Sequence, residues 1–265
     1  LTATEAVARL RRREISPLAL IDAAERRIAA AEVVFGGKRH LALAADIITG
    51  EARSWPVPFD ANMRAVTALR GKIVCVLAYG DPFCHGVGTT LARHVPVGEI
   101  RTIPAPSAFS LAASRLGWPL PEVETISLHG KPVDLIRPLL HPGTRILALT
   151  SDADGPKAVA ELLIETGFGD TRLTILEALG GPNERIREVA ASQFEFTNVN
   201  PLNVLAAEVR ANPKSRVLPL TPGIADDMFE HDGQITKREV RAVTLSALAP
   251  RRGELLWDIG AGSGS

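Results

Sequence analysis

The sequence has little of what several function classes need. Cysteine occurs only twice in 265 residues, as Cys75 and Cys84. One sits in an apolar run and the other in the loop after it. That is neither a disulfide framework nor a zinc spacing, and it suits a reducing cytoplasm. A surplus of one charge is also missing, with Lys plus Arg and Asp plus Glu at 30 each. A balanced chain argues against a general nucleic-acid binder, which carries a basic excess. It leaves room for a local basic pocket. Long hydrophobic runs are absent as well. No run reaches a bilayer span and no signal-peptide pattern opens the chain, so the sequence reads as cytoplasmic with no membrane partner. What is present is apolar mass, 46% of residues. That is enough for one large or two modest domains and too much for global disorder.

The most informative stretch is Ile73-Val74-Cys75-Val76-Leu77-Ala78-Tyr79-Gly80-Asp81-Pro82-Phe83-Cys84-His85-Gly86-Val87-Gly88. Its apolar, β-branched opening fits a strand buried on both faces of a parallel sheet. Pro82 stiffens the turn that follows, and the glycines let a ligand approach the backbone. Asp81 falls where the strand meets solvent, and the carboxyl ends of strands are where open α/β sheets bind ligands. A carboxylate there accepts hydrogen bonds from ribose hydroxyls or an ammonium group. The plainer reading, a strand followed by a polar turn, fits the local pattern equally well.

Read in order, residues 1–30 form two helices, with Thr4 and Ser16-Pro17 as start signals. The Arg11-Arg12-Arg13 cluster reads as a solvated face. Residues 32–40 are a strand, a glycine turn and a basic helix start. Residues 47–57 are extended, and 62–69 a short helix ending near Gly71. After the strand at 73–78 come a helix at 87–94 and a strand at 100–103. A helix capped by Ser107 follows, its first amides free for a ligand. Strands are expected at 125–128, 145–149, 173–176 and 202–209, with a helix at 156–166 and a glycine turn at 177–184. Strands alternating with helices indicate α/β, and the closely spaced strands after residue 170 indicate a second subdomain with a mixed sheet. Residues 219–223 read as a linker. A helix at 236–248, with Val240, Leu245 and Leu248 as its apolar positions, then precedes a strand at 255–259 and the glycine loop Gly260-Ala261-Gly262-Ser263-Gly264.

Several of these segments together resemble a family. They are residues 78–88, Pro106-Ser107-Ala108-Phe109-Ser110, Leu128-His129-Gly130, Leu149-Thr150-Ser151-Asp152 and Glu177-Ala178-Leu179-Gly180-Gly181. They are similar to the tetrapyrrole methyltransferases of cobalamin biosynthesis. Residues 231–241 and 256–265 resemble the junction to a Rossmann-like methyltransferase domain that follows in decarboxylating members. The resemblance implies a two-subdomain α/β methylase at 31–218, with subdomains of about 31–120 and 121–218. Residues 219–265 would be a linker and the start of the second domain. It implies S-adenosyl-L-methionine as methyl donor, bound in the cleft between subdomains, an anionic precorrin as substrate, and a homodimer. The donor contacts it implies are Tyr79, Asp81, Cys84, Ser107 and Ala108, with Leu149 and Leu179 in support. In the second domain they are Thr236 and Gly260, Ala261, Gly262, Ser263 and Gly264.

Methyl transfer from a sulfonium asks chiefly for positioning, so the sequence needs neither a triad nor a metal cluster for it. Lys38, Arg39, Lys131 and Arg137 are the candidates for binding an anionic tetrapyrrole, although each reads first as a surface charge. His85 and His129 lie on loops and are not read as bases. Residues 1–30 depart from the family. The family's first strand and its glycine loop are missing there, and Leu1-Thr2-Ala3-Thr4-Glu5-Ala6-Val7 with Arg13-Glu14-Ile15-Ser16-Pro17-Leu18 instead resembles the N-terminus of amidase-signature hydrolases. The loss of a central strand would leave sheet edges unpaired. The chain also stops inside the glycine loop unit, so the decarboxylating domain is expected to be incomplete. A fragment that binds donor without turnover, or an amidase-related hydrolase, are the alternatives.

Overall fold

The computed structural model describes Ala8, Arg12 and residues 17–55, 63–251 and 253–265. These form two compact units, one running to Leu111 and the other from Ala112 to Ser265. Among the described residues no helix is long and apolar enough to cross a membrane. The expected helix starts at Thr4 and Ser16 lie outside the described residues, as do Asn62 and positions 56 and 57.

The first unit carries helix α1 (Pro17–Ala29), strand β1 (Val33–Gly36), helix α2 (Lys38–Leu43) and strand β2 (Glu51–Ser54). Helix α3 (Met63–Thr67), strand β3 (Val74–Val76) and helix α4 (Val87–Leu91) follow. Its sheet has the order β2-β1-β3 with every pairing parallel. Val33, Val34 and Phe35 are fully buried, so β1 is the interior strand and each of these side chains contributes roughly 1.5–3 kcal/mol of burial. Here the structure corrects the sequence reading. The run at 73–78 is not the strand buried on both faces. It yields a three-residue strand at the sheet's edge among the described residues, half-buried throughout, and Ile73 is 61% exposed. An apolar run shows what a strand tolerates, and its neighbours decide what it buries.

The second unit begins within helix α5 (Ala108–Leu116). It continues through strands β4 (Glu124–Ser127) and β5 (Arg145–Leu149), helix α6 (Gly155–Glu165), and strands β6 (Arg172–Glu177), β7 (Arg185–Ala190) and β8 (Asn203–Glu208). Helix α7 (Arg238–Leu248) closes it. The sheet order is β4-β5-β8-β6-β7. β4 and β5 run parallel, while β8 is antiparallel to both β5 and β6, so the sheet is mixed as expected. Val159, Ala160, Leu162 and Leu163 line one face of α6 at helical spacing and pack with Ile146, Ile175, Phe168 and Leu205. The helix starts where the Asp152 carboxylate accepts the amides of Asp154 and Gly155 at 3.0 Å each.

Three further expectations change. Residues 100–103 form no ladder, because Pro104 and Pro106 follow at once and remove backbone donors. Residues 255–259 are likewise unpaired, with Leu255 and Ile259 largely exposed. The buried residue of α7 is Arg241, not Val240, Leu245 or Leu248, which are exposed. Its guanidinium donates to Asp226 at 2.6 Å and to the carbonyls of Thr236 and Ile224, and lies 4.9 Å from the Phe229 ring centroid. Those partners come from the preceding loop, so a buried cation paired with an acid and two carbonyls replaces an apolar stripe.

Strand β7 escaped the sequence reading because it is charged. Its cause is Glu177, 0% exposed at the end of β6. The carboxylate takes two bonds from Arg185 at 2.8 and 2.7 Å, two from Arg187 at 3.0 and 3.2 Å, and the Asn200 amide at 2.7 Å. Burial works against its ionisation, but the bonds from Arg185, Asn200 and Arg187 outweigh it and hold its pKa below the usual carboxylate value. A folded-state pKa below the unfolded one gives stability that is present above the unfolded pKa. That stability is lost as pH falls through the folded pKa. Glu177→Gln is therefore expected to cost about 2–3 kcal/mol at neutral pH. Urea melts of variant and parent should converge in acid, once Glu177 is protonated in both states of the parent. A gap that stays constant with pH would show that the charge is not the cause.

Candidate functional site

The chain leaves β3 through Leu77 and Ala78 into the loop 79–88. The loop is closed by its own backbone. The Cys84 amide bonds to the Asp81 carbonyl at 3.1 Å and the Gly88 amide to the Pro82 carbonyl at 2.9 Å. The Asp81 side chain accepts the Phe83 amide at 2.8 Å through Oδ1. That bond fixes the carboxylate's direction and leaves lone pairs on it for a further donor. Asp81 and Cys84 are half-buried, and Tyr79 is 46% exposed.

A second segment of the same unit, 104–108, lies against this loop. The Ala105 amide bonds to the Gly80 carbonyl at 3.2 Å. Gly80 has φ +53°, and a Cβ there would lie 2.7 Å from the Pro106 carbonyl oxygen and 3.0 Å from the Ser107 Cα. Only glycine permits that approach. Ser107 caps α5 as expected, its Oγ accepting the Ser110 amide at 3.1 Å. The Leu111 amide bonds to the Ser107 carbonyl, and the amides of Ala108 and Phe109 carry no hydrogen bond among the described residues. They are the free donors of a helix's first turn. So the structure brings together five of the sequence-predicted contacts, Tyr79, Asp81, Cys84, Ser107 and Ala108. The assembled donor set is a carboxylate, two free amides and a tight glycine turn. It fits a ligand that offers hydroxyls or an ammonium to the acid and a carboxylate to the amides.

Strand β1 ends beside this loop, because it pairs in parallel with β3 in the register Phe35 to Val76. Helix α2, which follows Gly37, therefore brings His40 and Arg39 to Tyr79. The His40 and Tyr79 rings are 3.9 Å apart between centroids, and the Arg39 guanidinium stands 5.4 Å from the Tyr79 centroid. Burial first, and the Arg39 charge second, lower the His40 pKa and keep the imidazole neutral. His85 turns outward with φ +57° and meets Phe109 edge-on at 5.8 Å. Sequence reasoning named Arg39 as one of four candidate cations for an anionic tetrapyrrole and missed His40. The signal was available in the parallel pairing of two strands that each end in a glycine turn.

In the second unit, Leu149 and Leu179 reach one edge of one sheet. β8 starts there, pairing Val204 with Leu149 and Asn203 with Glu177. Thr150 donates to the Asn203 Oδ1 at 2.7 Å, and Asn203 donates to the carbonyls of Asp152 and Asn200 at 2.9 Å each. A cavity of about 400 Å³ is lined by Glu177, Asn183, Glu184, Arg185 and Asn200. Glu184 ties the glycine turn down, accepting the Gly180 amide at 2.7 Å and pairing with Arg115 at 2.6 Å. Lys131 and His129 are exposed, and Arg137 is paired with Asp134 at 2.7 Å. Thr236 and the loop 260–264 are not joined by any hydrogen bond among the described residues. The Thr236 carbonyl serves Arg241, and the exposed loop closes on itself through the Gly264 amide and the Ala261 carbonyl.

An α/β unit with a glycine-Asp loop against a capped helix matches a known class. Residues 22–195 match the family model of the tetrapyrrole (corrin/porphyrin) methylases, and residues 227–265 that of the precorrin methyltransferase domain. The chain belongs to the tetrapyrrole methylases. It is 61% identical over 244 residues to precorrin-6Y C(5,15)-methyltransferase [decarboxylating] of Sinorhizobium sp., covering 92% of this chain and 59% of that one. It is 33% identical over 163 residues to cobalt-precorrin-7 C(5)-methyltransferase of Salmonella typhimurium, covering 61% and 79%. Among solved structures, precorrin-6Y methylase of Archaeoglobus fulgidus aligns with a TM-score of 0.51 and 26% identity, covering 72% and 91%. The chain spans about three fifths of the length of the first relative. The amidase resemblance of residues 1–30 finds no support, and the methylase match reaches back to residue 22, into the segment read that way.

The packing of the two loops has a direct test. Gly80→Ala combines a left-handed backbone with a backbone clash, whereas Gly117→Ala has φ +67° and open space around its Cβ. Gly117→Ala is expected to lose about 1 kcal/mol and Gly80→Ala about 1–2 kcal/mol more. Equal losses in denaturant melts would show that the loops are not held in contact.

Proposed function

We propose that this chain carries the S-adenosyl-L-methionine-dependent methylation of a precorrin ring carbon in corrin synthesis, with loop 79–88 and the start of α5 as the donor site. The observation that supports it most is the packing of Gly80, the residue before Asp81, against Pro106 and Ser107, where the helix with free Ala108 and Phe109 amides begins. When bound, the donor supplies an electrophilic methyl on a sulfonium. Asp81 accepts from the donor's hydroxyls or ammonium, the α5 amides receive its carboxylate, and Tyr79 covers an apolar face. Cys84 lies within the same loop turn. Leu149 and Leu179 are read as further donor contacts by resemblance alone. This machinery binds, orients and excludes water, and for a transfer between a carbon nucleophile and a sulfonium those tasks supply most of the rate.

The relatives' names guide the choice of ring carbon. The stretch shared with the Salmonella enzyme is shared with a protein named as a C(5)-methyltransferase, so C5 is the carbon we assign to residues 22–195. Thr236 and residues 260–264 belong to the stretch matching the precorrin methyltransferase domain, and we read them as a donor contact of that domain. A precorrin is rich in carboxylates, so cations beside the loop would orient it. In this reading the chain acts as a homodimer in the cytoplasm.

Calorimetric titration with S-adenosylhomocysteine tests the reading. The chain should bind it saturably, and Asp81→Ala should weaken binding by about tenfold or more, the loss of one charge-assisted hydrogen bond or two. No binding by a cooperatively folded sample would reject the donor site, and undiminished binding by the variant would reject Asp81's role in it.

A further inference from the structure

We propose that Arg39, set over the ring of Tyr79, anchors a side-chain carboxylate of the anionic tetrapyrrole, and that His40 is the positioning residue that fixes that ring. The inference rests on the methyltransferase reading and adds a substrate-recognition subsite to it.

The guanidinium of Arg39 stands 5.4 Å from the Tyr79 ring centroid. A cation–π contact holds a guanidinium in place without using its N–H groups. Among the described residues Arg39 has no carboxylate partner, whereas Arg53, Arg70, Arg115 and Arg137 are each committed to an acid. Its planar fork is therefore oriented and unspent, the state suited to bidentate recognition of a carboxylate. Tyr79 is 46% exposed, so the guanidinium it carries stands open to a ligand.

His40 accounts for the rigidity of this arrangement. Its ring lies 3.9 Å from that of Tyr79, tilted by 42°. On its other flank is the glycine turn, where a Cβ on Gly37 would sit 3.2 Å from the His40 Nδ1. The His40 Nε2 is buried with no hydrogen-bond partner. An imidazole that gives up a hydrogen bond to stay wedged between a turn and a ring is placed by packing. Being neutral, it adds no second charge, so Arg39 is the cation of the subsite. Tyr79 is followed at once by Gly80 and Asp81. A carboxylate held at Arg39 thus sets the macrocycle beside the donor loop.

The test uses uroporphyrin III as a stable carboxylate-bearing tetrapyrrole. Fluorescence quenching titrations are run in parallel with S-adenosylhomocysteine titrations. Arg39→Met should weaken uroporphyrin binding by about tenfold and leave S-adenosylhomocysteine binding unchanged. Arg39→Lys, a point charge without the fork, should recover only part of the loss. Lys72→Met, which removes an exposed cation of the same unit, should bind the probe as the parent does. The proposal is overturned if Arg39→Met binds the probe as tightly as the parent. It is also overturned if Lys72→Met loses as much, or if the parent binds S-adenosylhomocysteine but no uroporphyrin. Failure of the parent to bind S-adenosylhomocysteine would instead overturn the underlying donor site.

Discussion

Parallel pairing of β1 with both of its neighbours is the constraint from which the candidate site follows. Strands that run the same way deliver their C-terminal ends to the same sheet edge. β1 ends at Gly36 and β3 at Val76, one residue apart in register. The turn after β1 must therefore rise beside the loop after β3, and α2 inherits that position. His40 and Arg39 meet Tyr79 for this reason. Burial of Val33, Val34 and Phe35, consecutive residues on both faces, holds β1 in the interior of its sheet. The chemistry of loop 79–88 thus depends on a core strand that contributes no side chain to it.

The second unit uses a different device for a similar end. Its sheet edge is held by polar groups with complete partners. Glu177 anchors β7 through two arginines and caps the turn at Asn200. Asn203 links the ends of β5 and β8 through Thr150 and Asp152. Buried polar networks of this kind tolerate little change, since the loss of one member strands the others. Arg241 acts in the same way on the loop before α7. The pattern keeps irregular loops in place where apolar packing alone would leave them loose.

Much of this was legible in the residues. The alternation of strands and helices, the Ser107 cap, the glycine-Asp loop and the bounds of β5 all follow from local pattern. The rest depended on partners far away in sequence. Residues 73–78 and 33–36 look alike as apolar runs, and only the sheet order decides which is interior. Residues 100–103 and 255–259 have strand composition but no ladder to join. β7 has the opposite property: its arginines discourage a strand until Glu177 supplies their counter-charge from eight and ten positions upstream. His40 was invisible for the same reason, since its significance arises from a contact with Tyr79 across the sheet edge.

The central claim is that the donor site is built by loop 79–88 and the start of α5. Amide hydrogen exchange with and without S-adenosylhomocysteine addresses it directly. The account predicts that the ligand slows exchange at residues 79–88 and at the amides of Ala108 and Phe109. Protection confined to other segments, with these amides unchanged, would contradict it.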